Sequence, residues 1–480
     1  MFGRRALTVP GPSTLSLRQA VAFGRDPNGY LARCHAEYGD TFTIQLPRDP
    51  VRVVVCDPED VKKVFALEPD AFRSDRQSIH FNLGPESVLF ADGERHRRKR
   101  QILAPPMHAA KLESYADAML TITDARIDEL RPGHELTGYG LFRSITLDVI
   151  LQTVFGVAPD SERGRELSRQ LCDWLQAVLT PGMFALGLAL RANTLRRLLE
   201  RDTVRARIGA LGRRALRPWR KIAQDKAALL HSLQADLRRC RTEGHGERTD
   251  VLALLVQARY DDGTPMDDED ILDQLVTLLV GGFETTTNTL AWAVYYILRD
   301  PSVLAEIRAE LERVFDGGPV DADRCGELAY LDACIRESMR LSPIAIAAPR
   351  ELTKPMTLGG HAIAAGTIVW PCTYLAQRRP QTWEDPERFD PRRFMDARAP
   401  KPNVYFPFGG GRRRCLGATF AQFEMRIVLA RLLQRCELEL LSRAPVPEFR
   451  GIAIAPADDL RLRLVRARED GRARSVATAQ

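Results

Sequence analysis

The sequence predicts a mainly α-helical protein with a minor β lobe. Helical periodicity dominates residues 107–343, whereas short β-branched or alternating stretches occur only near residues 35–75 and 345–375. The two strand-rich regions are far apart in the chain and too small to stand alone, so we expect them to pair as one lobe beside a helical body. Although the length would also allow several domains, we expect a single domain spanning residues 1–480.

Pro and Gly residues mark the boundaries between the predicted helices and strands. The predicted order is an extended arm at 9–13, strands at 41–44 and 51–55, helices broken at 181–182, 244–246 and 317–318, strands within 356–369, a turn-rich segment at 380–407, a helix at 418–436 and a short β-like tail.

Composition excludes several classes of protein. No apolar run approaches the roughly 20 residues that cross a bilayer, and none follows the basic N-terminus as in a secretory signal. We therefore expect a cytoplasmic protein with no membrane anchor. A formal net charge of +6 is modest for 480 residues and does not indicate a nucleic-acid partner. The Arg-rich segment 191–221 fits either a solvated helix face or a patch that touches a membrane or an anionic partner.

The nine cysteines do not form a disulfide or zinc pattern. Their number is odd, they are scattered, and no pair has the spacing Cys-x-x-Cys. Reduced, buried thiols are the default for such residues. A cysteine with another role must therefore be identified by its neighbours.

Cys415 has such neighbours. It lies in a Gly- and Arg-rich segment, residues 408–417, immediately before the helix predicted from Ala418. The partial positive charge of a helix N-terminus and close backbone N–H groups favour the thiolate, which is the form of cysteine that can bind iron. A phosphate-binding loop is the rival for a Gly-rich segment, but the Gly-Lys-Ser/Thr ending is absent.

This segment resembles the haem-thiolate signature of the cytochrome P450 family, Phe-x-x-Gly-x-Arg-x-Cys-x-Gly. The fixed positions are occupied by Phe408, Gly411, Arg413, Cys415 and Gly417. The resemblance implies the cytochrome P450 fold and a bound haem b whose iron is held by Cys415. It also implies O2 as co-substrate.

A second family motif, Glu-x-x-Arg, occurs at Glu337 and Arg340. In the family this pair is completed by the arginine of a Pro-x-Arg-Phe segment. Arg388 and Arg393 both fit that wording, and we choose Arg393 because the family uses the second of two tandem phrases. The resemblance implies a structural role, in which a buried charge network holds the haem-binding loop.

The apolar helix predicted at 275–298 contains Gly281-Gly282-Phe283-Glu284-Thr285-Thr286. Two glycines inside a helix cost about 1 kcal/mol each relative to alanine, so they need a reason. The resemblance implies an oxygen-activation helix, in which Glu284 and Thr285 are catalytic and deliver protons to bound dioxygen. The alternative is a threonine bonded to the preceding turn and an exposed glutamate.

Four cationic residues match positions that contact the haem propionates in the family. These are His96, Arg100, Arg350 and Arg413. Arginine suits bidentate pairing with carboxylates. His96 is also typical of the bacterial branch, which favours a bacterial enzyme, with secondary metabolism as the expected setting.

The resemblance implies a monooxygenase that inserts one oxygen atom from O2 into a lipophilic small molecule such as a terpenoid, fatty acid or steroid-like compound. Because the chain has no flavin or nicotinamide fingerprint, electrons from NAD(P)H are expected to arrive through a ferredoxin or flavodoxin and its reductase. We expect Arg97, Lys99, Arg412 and Arg414 to form a basic docking face for that partner. We expect a monomer.

By resemblance, the pocket walls are expected to be apolar. The predicted pocket residues are Phe81, Leu83, Phe184, Ile344 and Ile346. Within the same fold, a non-oxygenating oxidation or a peroxide-driven hydroxylation remain alternatives. A haem-binding sensor or carrier without turnover, and a lipid-binding helical protein without haem, are the alternatives from other classes.

Overall fold

A computed structural model describes residues 9–47, 50–74, 83–107, 109–178, 217–243, 248–395, 400, 403–450 and 453–468. The predicted pocket residues Phe81 and Phe184 lie outside these ranges, as does the part of the Arg-rich segment at 191–216.

Helices account for most of the described chain. In order they are α1 (Ser16–Arg25), α2 (Pro27–Tyr38), α3 (Pro58–Phe65), α4 (Gly93–Leu103), α5 (Ala109–Asp128), α6 (Gly138–Phe155), α7 (Glu162–Val178), α8 (Arg217–Thr242), α9 (Val251–Gln257), α10 (Asp268–Arg299), α11 (Pro301–Phe315), α12 (Ala329–Leu341), α13 (Thr373–Ala376) and α14 (Ala418–Arg435).

The strands are short. They are β1 (Thr41–Ile44), β2 (Arg52–Val55), β3 (Phe72–Ser74), β4 (Glu135–Thr137), β5 (Arg350–Leu352), β6 (Met356–Leu358), β7 (His361–Ile363), β8 (Ile368–Pro371), β9 (Cys436–Leu440), β10 (Pro447–Arg450), β11 (Ala453–Pro456) and β12 (Arg461–Ala467).

The largest sheet joins the two strand-rich regions, as the sequence predicts. Its order is β1-β2-β8-β5-β3, so the two strands from residues 350–371 lie side by side between β2 and β3, which come from residues 41–74. β1 and β2 are antiparallel, whereas β2 and β8 run parallel with Val54 opposite Trp370. The β-branched residues of β2 are fully buried, which is typical of a central strand. The fold is therefore mainly α with a minor β lobe.

The smaller sheets tie the end of the chain to the helical body. β12 pairs with β9 and with β4, which lies between α5 and α6. β10–β11 and β6–β7 are two-stranded hairpins. The sequence predicted a β-like tail, but the pairing of the tail with β4 is a long-range contact that no local pattern indicates.

Helix α10 forms the centre of the helical body. Its 32 residues begin after the N-cap Asp267, whose side chain accepts a hydrogen bond from the Asp270 N–H. Most of its residues are buried, and α6 packs closely along it. Gly282 permits that approach, because a Cβ there would lie 2.6 Å from Ile150 Cδ1. No described helix combines the length and apolarity needed to span a bilayer.

Candidate active site

The loop of residues 408–417 turns back on itself just before α14. The Cys415 N–H donates to the Phe408 carbonyl at 2.9 Å, and the Arg414 N–H donates to the Gly411 carbonyl at 3.1 Å. Gly411 has a φ of +63°, and a Cβ there would lie 1.9 Å from the carbonyl oxygen of Phe65. Only glycine fits this position, so the glycines of the loop allow close contact with α3.

Cys415 differs from every other cysteine of the chain, because it alone is exposed. Burial by surrounding protein nevertheless raises the pKa of its thiol, while the Gly417 N–H and the charges of Arg100 and Arg414 lower it. Its sulfur is therefore accessible even though protein atoms surround it closely. The sequence indicated a lowered pKa. The expected lowering interactions are present, but in the protein alone burial outweighs them.

Cationic side chains from three separate segments converge near this loop. His96 and Arg100 come from α4, Arg350 from β5 and Arg413 from the loop itself. Burial and the charges of Arg413 and Arg100 lower the pKa of His96 to about 4. Burial and the Arg413 charge likewise lower the pKa of Arg350 to about 10. These groups are close enough to repel one another.

Few acidic groups compensate this charge. Arg413 bonds the Asp92 carboxylate at 2.9 Å. Arg350 donates to the carbonyls of Ala348 and Pro349, and no carboxylate in the described part of the chain pairs with it or with Arg100. Because desolvated cations without counter-ions are costly, the cluster suits a ligand with two carboxylates. A haem, with its two propionates and an iron atom that accepts a thiolate, fits these residues.

The middle of α10 has an open face. Gly281 is the only exposed residue between Ile271 and Leu298, and a Cβ placed on it would meet nothing within 4 Å. Thr285 lies one turn further on and is half-buried, with its hydroxyl bonded to the Gly281 carbonyl at 2.7 Å. The two adjacent positions therefore favour glycine for different reasons. Gly282 allows close packing against α6, and Gly281 leaves an open space beside the helix.

Glu284 is buried and points toward α6. The Tyr139 hydroxyl lies 3.0 and 3.2 Å from its two carboxylate oxygens, and the Asn288 amide nitrogen lies 3.3 Å from one of them. Burial raises the pKa of Glu284, against the lowering effects of Tyr139 and Arg143. Nothing in the sequence pattern indicated Tyr139, because the two residues are 145 positions apart.

The Glu-x-x-Arg pair is fully buried. The Arg340 guanidinium lies 2.7 and 2.8 Å from the two carboxylate oxygens of Glu337. Arg393 Nε lies 3.3 Å from Glu337 Oε1, which also accepts the Asp390 N–H at 2.9 Å. Arg388 contributes its backbone carbonyl to Arg340 rather than its guanidinium. The structure thus brings together Glu337, Arg340 and Arg393.

Gln377 connects this network to the Cys415 loop. Its side-chain nitrogen donates to the carbonyls of Met339 and Arg340, each at 3.2 Å, and its side-chain oxygen accepts the Phe406 N–H at 2.8 Å. Arg340 donates in return to the Gln377 carbonyl at 2.9 Å. A fully buried amide that satisfies both of its ends is the signal of a structural link.

Two of the predicted pocket residues are part of the hydrophobic core. Leu83 is buried in the main cluster, and Ile346 is buried in the cluster beneath the largest sheet. A residue that lines a pocket keeps some accessible surface. Among the predicted pocket residues that the structure describes, only Ile344 is partly exposed. Apolar character alone does not distinguish a pocket wall from core packing.

The expectation for Lys99 is wrong. Its side chain is buried, and its ammonium group lies 2.9 Å from Glu86 and 2.7 Å from Asp270. It therefore cannot belong to an exposed docking face. Arg97 and Arg412 are exposed, each paired with an acidic residue of its own surroundings.

Comparisons with known proteins identify the family of this chain. A family model described as Cytochrome P450 matches residues 9–458. Cytochrome P450 135B1 of Mycobacterium tuberculosis is 34% identical over 474 residues, covering 98% of this chain and 94% of that protein. Cytochrome P450 138 of the same organism is 33% identical, covering 94% of each. A solved structure, retinoic acid bound cyanobacterial CYP120A1, superposes with a TM-score of 0.79 at 24% identity, covering 96% of this chain and all of that one.

Proposed function

This chain belongs to the cytochrome P450 family of monooxygenases, and on that basis we propose that it inserts one oxygen atom from O2 into a lipophilic small molecule. The electrons come from NAD(P)H through a separate ferredoxin or flavodoxin with its reductase. We also propose that residues 1–480 form one domain, which the pairing of distant strands in a single sheet supports.

One observation carries the proposal. An accessible but densely surrounded thiol, Cys415, lies beside the arginines Arg100, Arg350 and Arg413 and the imidazole of His96. A sulfur ligand next to a group of arginines that outnumber their acidic partners matches an iron porphyrin, whose metal and propionates need those two kinds of group. A non-enzymatic lipid carrier has no use for either.

Bound haem would supply activation of O2, which thiolate ligation favours by donating electron density to the iron. The protein residues then have three tasks. Cys415 provides the sulfur ligand, and its loop is held in shape by the Phe408 carbonyl. His96, Arg100, Arg350 and Arg413 hold the propionates.

Proton delivery is the third task, and we assign it to Glu284 and Thr285. Burial raises the pKa of Glu284, which favours its protonated form and suits a proton donor. The Thr285 hydroxyl bonds Gly281 at the open face of α10, and rotation about χ1 would present it to that space. The space itself comes from Gly281.

The test is the fate of labelled dioxygen. Lipophilic compounds are screened for a spin-state shift of the ferric protein, and each compound that gives one is incubated with a ferredoxin, its reductase, NADPH and ¹⁸O2. The proposal expects one labelled oxygen atom in the product, with a Thr285→Ala variant that consumes NADPH but forms little product. An oxidised product without label would indicate a non-oxygenating oxidation. Turnover with hydrogen peroxide alone would indicate a peroxide-driven enzyme.

A further inference from the structure

Helix α1 exposes two aliphatic side chains and buries a glutamine, unlike an ordinary surface helix. Its buried residues are Gln19 and Phe23, whereas Leu17 and Val21, four residues apart on the opposite face, are 66% and 46% exposed. A helix at the surface of a globular protein normally buries its aliphatic residues and exposes its polar ones. Here a glutamine is inside while a leucine and a valine are outside.

The orientation of α1 is determined by the hydrogen bonds of Gln19. Its side-chain nitrogen donates to the carbonyls of Pro12 and Thr14 at 3.2 and 2.9 Å. Its side-chain oxygen accepts from the Tyr30 hydroxyl at 3.2 Å and from the Gln45 N–H at 2.9 Å. Rotating the helix to bury Leu17 would break these four bonds and bury an unsatisfied amide.

Exposed large apolar side chains are concentrated at this helix. In the described chain they are Leu15, Leu17, Val21, Leu89, Val446 and Val465. Half of them fall within residues 15–21. Scattered apolar residues are normal on a protein surface, but a group of adjacent ones marks a contact surface.

The charged residues of α1 itself have one sign. Arg18 and Arg25, seven residues apart, are exposed along one edge of the apolar face, α1 contains no acidic residue, and neither arginine has an ion-pair partner among the residues that the structure describes. An apolar stripe flanked by unpaired arginines complements a surface that is apolar in depth and anionic at its edge. The interface of an anionic lipid bilayer has that profile.

We propose that α1 is a membrane-contact helix, which lies in the plane of an anionic bilayer with Leu17, Val21 and the preceding N-cap Leu15 in the acyl-chain boundary and Arg18 and Arg25 at the phosphates. At ten residues it is about 15 Å long, so it rests on the bilayer and does not cross it. The contact concerns where the protein resides and goes beyond the proposed reaction.

The experiment is co-sedimentation of the full-length, haem-loaded protein with vesicles. Phosphatidylglycerol–phosphatidylcholine vesicles are compared with pure phosphatidylcholine vesicles at low and high salt. We expect binding to the anionic vesicles that weakens as salt screens the arginines. Leu17→Asp and Val21→Asp should each weaken vesicle binding by about tenfold, since each places a charge where the bilayer would bury an apolar side chain.

Val465→Asp is the matched control. Val465 is 49% exposed, close to the value for Val21, but lies on β12, remote in sequence from α1. The proposal requires that this variant binds vesicles as the unmodified protein does, and that the absorption spectra and unfolding temperatures of all variants remain unchanged. Equal weakening by Val465→Asp, or no vesicle binding by the unmodified protein, would overturn it. A concentration-dependent dimer that Val21→Asp dissociates, without vesicle binding, would assign the face to a second copy of the chain.

Discussion

The hydroxyl of Tyr139, in the first turn of α6, is hydrogen-bonded to the buried carboxylate of Glu284 on α10 at 3.0 Å. The Tyr139 ring in turn lies under the guanidinium of Arg450, 4.3 Å from its centroid. Arg450 pairs with Glu448 and Asp459, both of which retain accessible surface. The buried acid of α10 is therefore connected to the protein surface through side chains of α6 and of the β10–β11 region.

Tyr139→Phe removes the hydrogen bond that lowers the pKa of Glu284. We expect the pKa of this carboxyl to rise, so the proton is released less readily and the alkaline side of the rate profile moves to higher pH. Product formation per NADPH consumed, measured across pH, checks this. Tyr115→Phe is the control, because the Tyr115 hydroxyl bonds the Thr249 carbonyl instead. An unchanged profile in Tyr139→Phe would show that the tyrosine has no influence on proton delivery.

Glu284→Gln should raise stability and lower activity. Burial raises the folded-state pKa of Glu284 above the ordinary value of 4.5. The native state therefore binds this proton more tightly than the unfolded state does. The protonated carboxyl contributes to the free energy of unfolding at low pH, and this contribution is lost as pH rises through the folded-state pKa. The glutamine variant should unfold at a higher temperature than the unmodified protein at pH 7, with a smaller difference near pH 4. Turnover should fall by about 100-fold. An equal difference in unfolding temperature between the two proteins at pH 7 and at pH 4 would contradict the raised pKa of Glu284.

The paired glycines of α10 should respond to alanine with opposite signs. Gly281→Ala meets no neighbouring atom, so the apoprotein should gain about 1 kcal/mol from helix propensity. Gly282→Ala forces the buried Ile150 side chain to move, so it should lose about 1 kcal/mol or more. Denaturant unfolding of both apoproteins measures this. The same Gly281→Ala protein should lose activity, because the methyl group would fill the open space that we assign to the reaction. Full activity would mean that the open face is not part of the site.

Arg393 and Arg392 are adjacent arginines with different surroundings. The Arg393 side chain is largely buried against Glu337, whereas the Arg392 side chain is 54% exposed in its pair with Glu306. Arg393→Ala should cost about 2 kcal/mol or more, because it removes one partner of a buried charge network. Arg392→Ala should cost less than about 1 kcal/mol, as exposed pairs do. Denaturant unfolding and haem retention compare them, and equal effects would place Arg393 outside the network.

The sequence predicted best what depends on neighbouring residues. The Cys415 loop, the glycine-interrupted helix and the Glu337–Arg340 pair are local patterns whose spacing survives any arrangement of the rest of the chain. Strands β1 and β2 also followed from local alternation and β-branched residues, whereas β4 lies within the region predicted to be helical. Helices α1, α2 and α3 were not predicted, since short helices near strands depend on packing more than on periodicity.

Partners that are distant in the chain could not be predicted. Lys99 lies in a basic run that normally indicates a solvated face. Its side chain is nevertheless buried, because it pairs with Asp270 on another helix. Tyr139 likewise has no motif that marks it as a partner of Glu284. Leu83 and Ile346 share the apolar character of a pocket wall, and only the fold assigns them to the core.

The central claim is that Cys415 binds haem iron as a thiolate, and the difference spectrum of the reduced protein with carbon monoxide tests it most directly. The purified protein is compared with Cys415→Ser and with Cys436→Ser, which removes a buried cysteine elsewhere. We predict the red-shifted Soret band of thiolate-ligated haem in the unmodified protein and in Cys436→Ser, and its loss in Cys415→Ser. A band without the red shift in freshly prepared unmodified protein, or a red-shifted band that persists in Cys415→Ser, would contradict the assignment.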